Sequence, residues 1–281
     1  MAPDGNAAVG TAARATKERA GFSMTPTAAG GIARGGAAKL AREVAAPQRR
    51  LLRIAGGLLV GGELLALVAG FFHPTSAHPN DHTVTFAKYA ASDDWLAVHI
   101  GQFAGVIMVL AGLVVLYRAL AQTRLVDTLA LVAVSGAVAT AALVALVNAV
   151  DGVMLKQAVD TWANTVGPNK VLAFHDAETA RWLEWGANSF ASLLEGVTIA
   201  LFGLAIARTA LVPRWLGWAA VIAGIDYLVV GALIGHDGFS DTVPAVSVTG
   251  DLLLLIVAIG IAVTAWRAPA RDDEPAPAPP V

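Results

Sequence analysis

The sequence predicts an all-α, polytopic transmembrane bundle of six spans with both termini in the cytoplasm. Three observations carry this. The 281 residues are 56% hydrophobic and only 14% charged, too apolar for an ordinary soluble domain. Six segments each supply the roughly 20 apolar residues that a helix needs to cross a hydrocarbon core. Basic residues alternate between the ends of those segments: of 19 Lys and Arg, only Lys88, Lys156, Lys170 and Arg181 fall on one side, so the other side is cytoplasmic.

Residues 1–48 are rich in Ala, Gly, Thr and Arg and lack the apolar centre of a cleavable signal peptide, so they read as a disordered cytoplasmic tail. Ile32 to Val44 has the pattern of a weak interfacial helix, opposed by Gly30, Gly31, Gly35 and Gly36. The transmembrane domain, 49–267, then holds spans at Leu51 to Phe72, Trp95 to Tyr117, Thr128 to Val150, Trp185 to Ala207, Trp215 to Gly235 and Ala245 to Trp266. Trp95, Trp182 and Trp185 mark outer ends and Trp215, Trp218 and Trp266 inner ends, where amphipathic rings favour the interface. Inner connections are short. The outer ones are long and polar at 73–94 and 151–184 and shorter at 236–244, which points to the outer face for function. Within 151–170 an amphipathic surface helix is expected, with Val153, Leu155, Val159 and Trp162 inward and an end before Gly167-Pro168. Residues 268–281, rich in Pro and Ala, read as a second disordered tail.

Several function classes drop out. There is no cysteine, which removes disulfides, thiolate metal sites and cysteine nucleophiles. A net charge of -2 with scattered basic residues offers no face for nucleic acid. The lipid bilayer is the first partner, with a small molecule, a lipid or a protein complex as further possibilities.

Chemistry is expected where polar groups enter apolar sequence. On the fourth span Glu178, Arg181, Trp185, Asn188, Ser192 and Glu195 recur at steps of three and four, forming one polar stripe with a carboxylate near the middle of the bilayer. Such a group costs about 2.5–3.5 kcal/mol at the bilayer centre and so faces the bundle interior. Glu63, Gln102, Asn148, Asp151, Asn188, Asp226 and Asp251 join it as intramembrane polar groups. All six histidines, His73, His78, His82, His99, His175 and His236, lie at or beyond outer span ends. Imidazole with carboxylate suits zinc or another transition metal, so His78, His82, His99, His175 and Glu195 are the candidate ligands, with His73 able to join them. Glu195, His99 and His175 are the candidate catalytic groups of a membrane enzyme acting at the outer leaflet of the plasma membrane. No HExxH or ExxH spacing supports the metal reading. Capping and solvated roles account equally well for His73, His236, His78 and His82. Glu178 and Arg181 are expected to form a solvated pair. The alternatives are a proton- or cation-coupled transporter using Glu63, Glu195, Asp226 and Asp251, and a non-catalytic subunit of a membrane complex.

Overall fold

A computed structural model of the chain describes residues 29–74, 78–121 and 124–267, with side chains from residue 47 onward except at Arg124. The chain divides at Val44 into two units, and the second, Ala45–Val281, carries all the spans. The elements are α1 (Ala29–Phe71), α2 (His82–Ala90), α3 (Trp95–Leu120), α4 (Arg124–Ala149), a π-helical turn (Val150–Leu155), α5 (Lys156–Asn164), α6 (Asn169–Ala207), α7 (Arg214–Asp237) and α8 (Thr242–Arg267). No strand occurs among the described residues. The expected tails at 1–28 and 268–281 lie outside the described residues. From Ala29 the backbone is helical, so α1 begins well before the tail boundary expected at residue 48.

Six of these helices are long and apolar enough to cross a membrane. Their exposed faces carry Val68, Phe190, Ile222, Ile225 and Val248, a surface suited to lipid rather than water. Trp182, Trp215, Trp218 and Trp266 are exposed near span ends, as interfacial anchors are. Trp95 departs from that expectation: it is 1% exposed and belongs to the interior.

Small residues set how closely the spans approach. On α6 Ser189, Gly196 and Gly203 recur every seventh residue, and on α7 Gly217, Gly224 and Gly231 do the same. The helices run antiparallel, so the two series meet as pairs. A β-carbon at Gly196 would lie 2.6 Å from the Gly224 carbonyl oxygen, one at Gly203 2.6 Å from that of Gly217, and Ser189 Oγ donates to Gly231 O at 2.7 Å. Backbone contact of this kind replaces the hydrophobic drive that lipid cannot supply between helices. Gly62 and Gly105 join α1 to α3 in the same way, and Gly56 faces Ala262 where α1 meets α8. With α3 on α4, α4 on α6, and α7 on α8, the six spans close a ring. Its interior is mostly apolar, built from residues such as Leu113, Leu116, Phe202, Leu216 and Ile261.

A second layer covers the end that carries Phe71, Trp95 and Asp237. The segments expected as long loops are largely helical there: α2 lies within 73–94, and α5 with the first four turns of α6 lies within 151–184. Asp81 caps α2 by accepting from Val84 N at 3.2 Å. Gly167, at φ 71, makes the turn into α6, and Gly238, at φ 67, ends α7. Phe86, Tyr89, Trp95, Leu155, Val159, Ala177 and Ala180 form the core of this cap. Leu155 and Val159 face inward as expected of the amphipathic segment, whereas Val153 is 46% exposed, since residues two apart on a helix point to nearly opposite sides.

The α6–α7 seam is expected to govern stability. Gly224→Val should destabilise the protein by roughly 1–3 kcal/mol or more by overpacking backbone against backbone. Gly57→Ala, where a β-carbon meets nothing within 4 Å, should instead stabilise it by about 0.5–1 kcal/mol. Thermal unfolding in detergent compares the two, and similar effects would contradict the seam.

Candidate metal centre

The most concentrated polar chemistry lies where the cap meets the bundle. Among the described residues, one group of three or more His, Asp or Glu side chains has ligand atoms all within 4.8 Å of one another: His73, His99 and Asp151. Each comes from a different place. His73 follows the end of α1, His99 is one turn into α3, and Asp151 sits in the π turn after α4. The adjacent Gly152 makes the approach possible, since a β-carbon there would lie 3.1 Å from that of His99. Trp95 Nε1 donates to Asp151 O at 3.3 Å and pins the turn to α3.

The protons on the two imidazoles can be assigned from their partners. His99 Nδ1 lies 2.7 Å from the Trp95 carbonyl oxygen, and a carbonyl only accepts, so Nδ1 carries hydrogen. His73 Nδ1 is likewise 3.1 Å from Pro74 O. In the neutral rings Nε2 then carries a lone pair, and both Nε2 atoms face the same carboxylate oxygen, Asp151 Oδ2, at 2.9 Å from His99 and 4.0 Å from His73. A lone pair 2.9 Å from a carboxylate, as at His99, needs a positive centre, either a proton or a metal ion, while His73 at 4.0 Å stands beyond hydrogen-bond distance but within reach of a shared ion. Asp151 Oδ1 is buried without a hydrogen-bond partner. Burial pushes the His73 imidazole below its ordinary pKa, outweighing the opposite pull of Asp151, so His73 is held as the free base.

Aromatic rings seal the group. Trp95 lies tilted against His99 with centroids 4.5 Å apart, and His73 packs edgewise on Tyr89 and His99. Burial raises the Tyr89 phenol well above its ordinary pKa, so it remains an O–H donor. Beside them Arg181 Nη1 donates to Glu184 Oε2 at 2.6 Å, and both side chains are 3% exposed. The guanidinium also lies over the Phe239 ring at 4.5 Å. This corrects the expected pairing: Arg181 is buried with Glu184, and Glu178 instead joins His82 and His175, each Nδ1 lying 3.0 Å from one of its oxygens. The i,i+3 spacing fits either partner, and only the packing of α2 against α6 decides between them.

The sequence-derived ligand set does not gather at one point. His99 is in the group. His82 is half-buried, stacked on Phe86, and His175 is exposed. His78 is exposed, 3.8 Å from Asp241. Glu195 lies deeper in the bundle, lining a cavity with Glu63. Asp226 lies against Gly250, Asp251 accepts from Tyr227 Oη at 2.6 Å, and Asn148 donates to Val144 O. Gln102 lies near Gly70 on α1, and Asn188 is half-buried on α6. His73 and Asp151 carried the weaker expectations, as a span-end cap and a rim acid. The available signal was Asp151-Gly152 directly after an apolar span, level with His99.

No curated protein and no solved structure matches the chain. A family model described as "Domain of unknown function (DUF4386)" matches residues 54–272, a stretch that contains all three members of the group. The chain, with its six helices long and apolar enough to cross a membrane, therefore belongs to the DUF4386 family.

Proposed function

We propose that this protein is a membrane metalloprotein whose His73, His99 and Asp151 hold a transition metal or zinc at the outer end of the bundle, and that the centre serves an enzyme acting at the outer leaflet of the plasma membrane. The observation that carries the reading is the shared target of the two Nε2 atoms. Both rings give Nδ1–H to a backbone carbonyl, the outer-shell contact that fixes tautomer and orientation in metal-binding histidines, and both aim the remaining lone pair at one carboxylate oxygen. The unpartnered Asp151 Oδ1 supports the same assignment.

Two imidazoles and a carboxylate suit zinc, iron, manganese or copper. Three protein ligands leave coordination positions open, which marks sites that take up water or substrate rather than closed structural ones. An ion there would supply Lewis-acid chemistry or an activated water. Arg181 lies within Coulombic reach of His73, and Glu184 of Asp151. They place a buried cation and a second carboxylate near the group, suited to orienting an anionic or polarised group. The outward orientation rests on the distribution of basic residues.

Metal analysis of untagged, dialysed protein in detergent tests the reading. The wild type is expected to retain about one equivalent of a transition metal, and Asp151→Asn and His99→Ala to lose most of it. A folded wild type retaining less than about a tenth of an equivalent would make the contact a protonated His–Asp pair and defeat the proposal. His175→Ala and Glu195→Gln, at residues outside the group, are expected to leave the metal content unchanged. Loss of metal in either would move the site.

A further inference from the structure

A second site lies deeper in the bundle and does not depend on the metal reading. α1, α3, α6, α7 and α8 surround a cavity of about 530 Å³, its open mouth included, of which only about 40 Å³ is roomy enough for the centre of a water molecule. It is therefore a narrow slot. Its walls are aliphatic, with Leu110, Leu113, Ile199 and Leu254 among them, and two carboxylates, Glu63 and Glu195, stand at one end. Along α6 the lining runs from Glu195 to Ile206, roughly 16 Å of helix at 1.5 Å per residue.

Glu63 is more than nine-tenths buried, at 8% exposure, yet no hydrogen-bond partner accompanies it among the described residues. Glu195 is half-buried and likewise has no hydrogen-bond partner among the described residues, whereas Asp251 is satisfied by Tyr227. Glu63 lies within Coulombic reach of both Glu195 and Asp251. A carboxylate buried in an apolar wall without a donor is costly, and a second one nearby adds repulsion. A ligand that brings N–H donors and positive charge to that end, and an apolar body to the rest, offsets both.

We propose that the slot binds a single-chain alkyl ammonium, its head between Glu63 and Glu195 and its chain along Leu113, Ile199 and Ile206. Charge complementarity selects the head, and the aliphatic lining takes the chain.

Photolabelling of the full-length protein in lipid nanodiscs tests this with two probes that share a dodecyl chain bearing a diazirine, one ending in a primary amine and the other in an alcohol. Peptide mapping by mass spectrometry should place amine labels on slot residues of α3 and α6, at least about tenfold above the alcohol, the equivalent of roughly 1.4 kcal/mol of preference. Glu63→Gln with Glu195→Gln should remove that preference while the metal content stays at the wild-type level. Equal labelling by both probes in the wild type would overturn the proposal whether or not the double variant folds. So would labels confined to the lipid-facing Phe190, Ile222 and Ile225. Unchanged amine labelling in a folded double variant would also overturn it, and would leave the two acids as neutral, protonated glue between helices.

Discussion

The site depends on one contact, the 2.9 Å approach of His99 Nε2 to Asp151 Oδ2. Within a membrane-spanning bundle a polar group finds its partner inside the protein or stays costly. Because the Trp95 carbonyl takes the proton of Nδ1, the other face of the ring has no hydrogen of its own to give unless the ring is charged. Something positive has to sit there. The nearby Nε2 of His73 and the orphaned Asp151 oxygen make a shared metal ion a fuller answer than a single proton, since one proton satisfies one nitrogen.

The two packing systems of the molecule explain why that contact forms where it does. Glycine seams hold the spans at backbone distance and fix their relative heights, so α3 presents His99 at the level where α4 ends. The π turn then adds the offset that turns Asp151 inward toward α3, and Gly152 admits the His99 side chain beside it. The cap of α2, α5 and the first turns of α6 covers the group with Tyr89, Arg181 and Glu184. Lys156 Nζ donates to Ala90 O and helps tie α5 to α2. Packed helices below and a cap above hold the three side chains at fixed distances.

The spans were legible in the sequence because the bilayer imposes a length and a composition that each of them meets. The second span starts at Trp95 as read, and the others differ at their ends mainly because helices continue beyond the apolar stretch. That continuation is what sequence reading missed: α6 begins at Asn169, sixteen residues before the expected start at Trp185, through polar residues that look like loop. The polar stripe on α6 does turn inward, with Arg181 and Ser192 buried and Trp185, Asn188 and Glu195 half-buried. The group of His73, His99 and Asp151 was legible only in its parts. His99 stood out because it interrupts apolar sequence, but nothing local links it to an acid 52 residues away or to a histidine 26 residues before it. The π turn carries no motif, and the convergence is a product of the helix ring.

The molecule thus carries two separate chemistries: imidazoles and a carboxylate sealed under aromatic rings at one end, and two bare carboxylates on an aliphatic slot within. X-ray absorption spectroscopy on the metal-bearing protein addresses the first most directly. The account predicts a first shell containing two imidazole nitrogens and a carboxylate oxygen at about 2.0–2.2 Å, reduced to one imidazole in His73→Ala. A spectrum without imidazole scattering, or one unchanged by that substitution, would contradict it.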